Sequence, residues 1–136
     1  MKTIKLFLAG IVVSGLIGSG VSFGAAAPGL TRTDSGGGVT VKVTYVHSQG
    51  EEDARFEVAL DTHSVNLDAY DLKTLSVVRD DTGKSYQPLK TETKGSGHHR
   101  EATLTFPKIS PEASVLELVI TDVAGVKERV FRWELR

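Results

Sequence analysis

Histidine is the side chain with the most chemistry to offer in this sequence. The chain carries four of them, and three fall in two short stretches, "DTHSVNLD" at 61–68 and "GSGHHR" at 95–100. A neutral imidazole is a common ligand for zinc or copper(II), and a carboxylate beside it completes a nitrogen–oxygen set. Asp61 and His63 are two positions apart, so on an extended segment both side chains leave on the same face. Gly95 and Gly97 let the backbone turn sharply into the doublet His98–His99. In a regular strand these two point to opposite faces. His98 shares the phase of Ala102 and Leu104, which leaves His99 the more exposed ligand. The candidate metal ligands are therefore His63, His98, His99 and Asp61, with copper or zinc as the metal.

Plainer readings compete with this one. A histidine between threonine and serine in a loop often hydrogen-bonds backbone groups, and a doublet after Gly-Ser-Gly also reads as a solvated turn. His63 and one of the doublet could instead pin two loops together. Asp68 and Asp71 suit the capping of a short helical turn within "NLDAYDL".

Catalysis finds less support. Ser64 beside His63 makes no nucleophile–base pair, because adjacent extended residues point apart. No G-x-S-x-G elbow is present, and "GGG" at 36–38 precedes a strand rather than a phosphate-binding helix. Asp80–Asp81 reads as an ordinary turn pair. The expectation is a protein that is not an enzyme.

The elements that must position these residues follow a period of two. "VTVKVTYV" sets Val39, Val41, Val43 and Tyr45 on one face, and "ARFEVALD" does the same with Phe56, Val58 and Leu60. "LKTLSVVRD" is a third, less regular run. "KSYQPLKTE" is a fourth, and Pro88 places it at a sheet edge. "REATLTF", "SVLELVITD" and "VKERVFRWEL" follow, the last with Phe131, Trp133 and Leu135 in one phase. Turn clusters such as "DDTG" and "DVAG" separate them. Seven strands in a domain of this size predict an all-β, seven-stranded antiparallel immunoglobulin-like sandwich, with an open barrel as the alternative.

Strand alternation then sorts the connections. Lettered A to G, the strands put loops B–C, D–E and F–G at one end. His63, the doublet and Asp122 belong to that end. His47, closing strand A, belongs to the other.

Composition bounds the rest. The formal net charge is −1, from 16 basic and 17 acidic residues, so nothing draws the chain to nucleic acid or to an anionic membrane surface. There is no cysteine, which removes thiolate chemistry and disulfides alike. The chain opens "MKTIKLFLAGIVVSGLIGSGVSFGAAAPGL", with Lys2 and Lys5 before an apolar, glycine-interrupted run and small residues at 24–27. Residues 1–26 read as a signal peptide cleaved after Gly24 or Ala26, residues 27–38 as a flexible leader, and residues 39–136 as the sandwich. The expected location is periplasmic or secreted, with no membrane contact after cleavage.

The motif "THSVNLDAYDL" together with "GSGHHR" resembles exported immunoglobulin-like sandwich domains of bacteria. The resemblance covers most of the mature chain and implies no activity. Copper-carrier sandwiches of the periplasm are similar in architecture but hold their ligands near a histidine-bearing mature N-terminus. The leader here has no histidine, so no residue is carried over from them. Two functions follow as expectations. One is a non-catalytic binding domain that holds a divalent metal through its loop histidines. The other is a structural or protein-interaction module that docks a protein partner without metal. A carbohydrate-binding sandwich would want exposed aromatics, and of the tyrosines only Tyr70 falls in a loop at the histidine end.

Overall fold

The computed structural model describes residues 30–46 and 52–135. The expected signal peptide, the start of the leader and His47 lie outside these residues. The strands are β1 (Thr31–Gly36), β2 (Val39–Val46), β3 (Ala54–Thr62), β4 (Ser76–Asp80) and β5 (Ser85–Tyr86), followed by β6 (Lys90–Ser96), β7 (His99–Phe106), β8 (Val115–Val123) and β9 (Val126–Glu134). A 3-10 turn at Leu67–Ala69 and a single α-turn, α1 (Leu72–Leu75), lie between β3 and β4. All strand pairs are antiparallel and form two sheets, ordered β1-β2-β3-β7-β6 and β5-β4-β8-β9.

The period of two becomes a shared core. Val39, Val41, Val43 and Tyr45 of β2 are buried, while Lys42 between them is exposed. Phe56, Val58 and Leu60 of β3 meet Leu116, Leu118 and Ile120 of β8 and Phe131 and Trp133 of β9 in one apolar cluster. Phe56 is its aromatic centre, with ring centroids 5.1 Å from Tyr45, 5.3 Å from Trp133 and 5.5 Å from Phe106. Burying side chains of this size contributes about 1.5–3 kcal/mol each. In a chain without disulfides that packing carries the stability. The indole N–H of Trp133 donates to the Leu30 carbonyl at 2.9 Å, so the largest core residue buries no unpaired donor.

Three expectations change. Residues 31–36 of the expected flexible leader form β1, paired with β2 from Thr31↔Thr44 to Gly36↔Val39. None of its six residues is fully buried, so "TRTDSG" needs no apolar face and gave no alternation to read. Its turn is Gly37–Gly38, both with positive φ, as a two-residue type I′ hairpin requires.

The third run is also shorter than expected. "LKTL" forms α1, capped by the Asp71 carboxylate accepting from Lys73 N–H at 3.0 Å. The fourth run splits at Pro88 into β5 and β6, which are edge strands of different sheets. Proline has no N–H for a ladder, and here it stands where the chain crosses between the sheets.

The connections sort as strand alternation demands. Thr62 N–H donates to the His98 carbonyl, Leu67 N–H to the Gly97 carbonyl, and Ala124 N–H to the Tyr70 hydroxyl. The β3–β4, β6–β7 and β8–β9 connections therefore meet at one end. The β1–β2 turn joins them, because the Thr62 hydroxyl donates to the Gly38 carbonyl at 2.6 Å. At the other end, the Asp81 carboxylate accepts from Ser114 and Val115 N–H, and the Tyr86 hydroxyl accepts from Ser110 N–H.

Candidate functional site

β3 and β7 are neighbours, and their register makes Asp61 and His99 direct cross-strand partners. Both side chains point away from the core, because the alternating residues Leu60 and Thr62 face inward. The His99 Nδ1 lies against Asp61 Oδ1 as a hydrogen-bonded ion pair. The other ring nitrogen, Nε2, faces Glu101 Oε1 at 3.7 Å. Glu101 is two positions along β7 and so shares the outward face of His99. All three side chains are more than half exposed, at 54% for Asp61 and 60% each for His99 and Glu101.

The hydrogen bond that the His99 ring donates to the Asp61 carboxylate, reinforced by the charge of Asp61 and that of Glu101, raises the His99 pKa above its ordinary 6.5. When the ring is neutral, the proton shared with Asp61 belongs on Nδ1. Nε2 then presents its lone pair towards Glu101. This is the arrangement in which a carboxylate orients a metal-ligating histidine through its second nitrogen. The 3.7 Å separation also suits a cation bridging the two atoms, since each bond would be about 2.0–2.2 Å.

The other expected ligands are placed differently. His98 is exposed in the two-residue β6–β7 turn, where Gly97 supplies the positive φ of the first turn position. Its backbone carbonyl, not its ring, ties that turn to Thr62. His63 is exposed just beyond β3 and makes no hydrogen bond or ion pair among the described residues. The expectation that it shares a face with Asp61 stops at Thr62. That hydroxyl accepts from Ser64 and Val65 N–H at 3.2 Å each and bends the chain out of the strand. Asp122 is exposed, with φ 55, beside the β8–β9 turn. Among the described residues no three His, Asp or Glu side chains converge as a ready metal cage.

Pinning of the loops falls to side chains other than the histidines. The Arg100 guanidinium donates to the carbonyls of Leu67 and Tyr70 at 2.5 and 2.8 Å. The Asp68 carboxylate accepts from Gly97 N–H at 2.9 Å. Asp68 was expected as a cap within its own segment, and it bridges to the doublet's turn instead. Arg100 stood in the quoted "GSGHHR", but nothing local shows which carbonyls it will reach. Arg100, Asp68, Tyr70 and Thr62 thus tie the loops at this end together, and the expected pin between His63 and one imidazole of the doublet is not formed among the described residues.

No protein-family model, curated protein or solved structure matches this chain, so the site is read from its own geometry. No helix among the described residues is long and apolar enough to cross a membrane.

Proposed function

We propose that this protein is an exported, non-catalytic binding domain of the immunoglobulin-like class, with a divalent metal, zinc or copper(II), as its ligand. The strand order supports the class. β2-β3-β7-β6 against β4-β8-β9 follows the A-B-E-D and C-F-G order of such sandwiches, with β1 and β5 as extra edges. The observation that carries the metal reading is the His99 ring held between Asp61 and Glu101. Asp61 orients the ring, while Nε2 and the Glu101 carboxylate are the two protein ligands. Water fills the remaining positions, as at sites that stay open. Ser96, opposite His99 on β6, makes no hydrogen bond to the ring. The row therefore offers an orienting carboxylate without an engaged nucleophile, which favours binding over catalysis.

Calorimetry of the purified chain with zinc and with copper(II) tests this. Binding is expected above the raised pKa of His99, lost in His99→Ala and strongly reduced in Glu101→Gln. It is retained in His98→Ala. A parent chain that takes up neither metal, or a His99→Ala variant that binds as the parent does, refutes the metal reading.

A further inference from the structure

The outer face of the five-stranded sheet carries a groove of about 680 Å3. The register explains its shape. One row runs Lys42, Ala59, Glu101, Lys94 across β2, β3, β7 and β6, and the next runs Thr44, Glu57, Thr103, Glu92. The small side chains of Ala59 and Thr103 stand on the two central strands, each directly opposite a glutamate. They leave a depression walled by Glu57 and Glu101. Lys42 and Lys94 flank it three strand spacings apart, roughly 14 Å at the usual interstrand distance.

The lining chemistry narrows the occupant. Among the described residues no aromatic or large aliphatic side chain other than Val58 borders the groove, and Val58 itself is buried in the core. An apolar ligand would gain little there. Carboxylates and ammonium groups interleave, so neither a polyanion nor a polycation meets a surface of opposite sign. Lys42, Lys94 and Glu57 make no hydrogen bond or ion pair among the described residues, even though Lys94 and Glu101 are direct cross-strand partners. Donors and acceptors of both kinds therefore stand side by side with most of their capacity unspent.

We infer that the groove binds an uncharged polyhydroxylated ligand, an oligosaccharide segment lying across β2, β3, β7 and β6 between Lys42 and Lys94. Neighbouring hydroxyls can donate to a glutamate and accept from a lysine at once, and hydrogen bonds to ionised groups are the stronger kind. The charged walls take the place of stacking aromatics, which the described lining residues lack. Glu101 belongs to both readings, while Lys42, Ala59 and Lys94 belong to the groove alone, so variants at those three test the groove with the metal ligands intact.

Amide NMR of the full chain, titrated with maltotetraose, cellotetraose and chitotetraose, tests it. At least one saccharide is expected to give saturable shifts at Lys42, Ala59, Glu101 and Thr103. Ala59→Arg fills the depression from the solvent side and should weaken that binding by about tenfold or more, a loss of about 1.4 kcal/mol. Val130→Arg, on the outer face of the other sheet, should leave it unchanged. Should Ala59→Arg fail to fold, Lys42→Ala with Lys94→Ala, both exposed, must produce the same loss. The inference is overturned if no saccharide binds, if the shifts lie elsewhere, or if the groove variants bind as the parent does. It is overturned equally if spermine or polyphosphate shifts these amides where no saccharide does.

Discussion

Arg129 and Asp34 lie 95 positions apart and form an ion pair of 2.8 Å. The guanidinium is fully buried while the carboxylate is 44% exposed. The same guanidinium donates to the carbonyls of Gly36 at 2.7 Å, Val123 at 3.2 Å and Val39 at 3.4 Å. One side chain thus fastens the β1–β2 hairpin to the β8–β9 hairpin. It sits in the inward phase of Phe131 and Trp133, a position the alternation reserves for apolar residues.

Removing either partner should destabilise the fold, but unequally. Arg129→Met leaves three carbonyls short of a donor, and the expected cost is about 3 kcal/mol, as for a broken buried pair. Asp34→Ala should cost less, about 1–2 kcal/mol, because the carboxylate is partly solvated and the carbonyls still hold the guanidinium. Urea unfolding followed by circular dichroism measures both. Equal midpoints for Arg129→Met and the parent would refute the fastening role.

The His99 ring should titrate above 6.5, because the Asp61 carboxylate stabilises its protonated form. Asp61→Asn should bring the titration back down, and imidazole NMR reads both values. The sign of the linkage follows. A pKa raised in the folded state contributes stability fully below the ordinary value and loses it as pH rises through the folded value. Metal uptake runs the opposite way across that window, since only the neutral ring ligates.

If Asp61 acts by orienting the ring, Asp61→Asn should weaken metal binding by about 10–100-fold without abolishing it. His99→Ala should abolish it. Isothermal titration at one pH above the His99 titration separates the two outcomes. Full loss in Asp61→Asn would make Asp61 a direct ligand instead.

Gly37 has φ +63, and a Cβ built there would stand 2.2 Å from the Ala124 carbonyl oxygen. Gly83 has φ +90 and nothing within 4 Å of such a Cβ. Both glycine-to-alanine changes strain the backbone, at a cost of about 1 kcal/mol or more. Only Gly37→Ala also forces the two hairpins apart. Its melting temperature should fall clearly further than that of Gly83→Ala, and equal falls would show that the close approach is unimportant.

Much of this architecture is written locally. Alternation in 39–46, 54–60, 102–106, 116–120 and 131–135 marks the faces that are buried, because a strand with one apolar face has a single way to sit on a core. Strand alternation also brings the histidine-bearing loops to one end, since antiparallel neighbours reverse direction. β1 escaped this reading because none of its residues is fully buried, so it carries no apolar period. The site escaped it for a different reason. Which of Asp61, His63, His98 and His99 meet depends on the β3–β7 register and on the bend that Thr62 introduces. Neither is visible in local spacing. The small floor of Ala59 and Thr103 and the contacts of the buried Arg129 join strands distant in the chain, whereas Glu101 beside His99 is a local relation two positions along β7. Pairing across 38 to 95 positions is decided by the packing of the whole sandwich, which the residues around each histidine cannot encode alone.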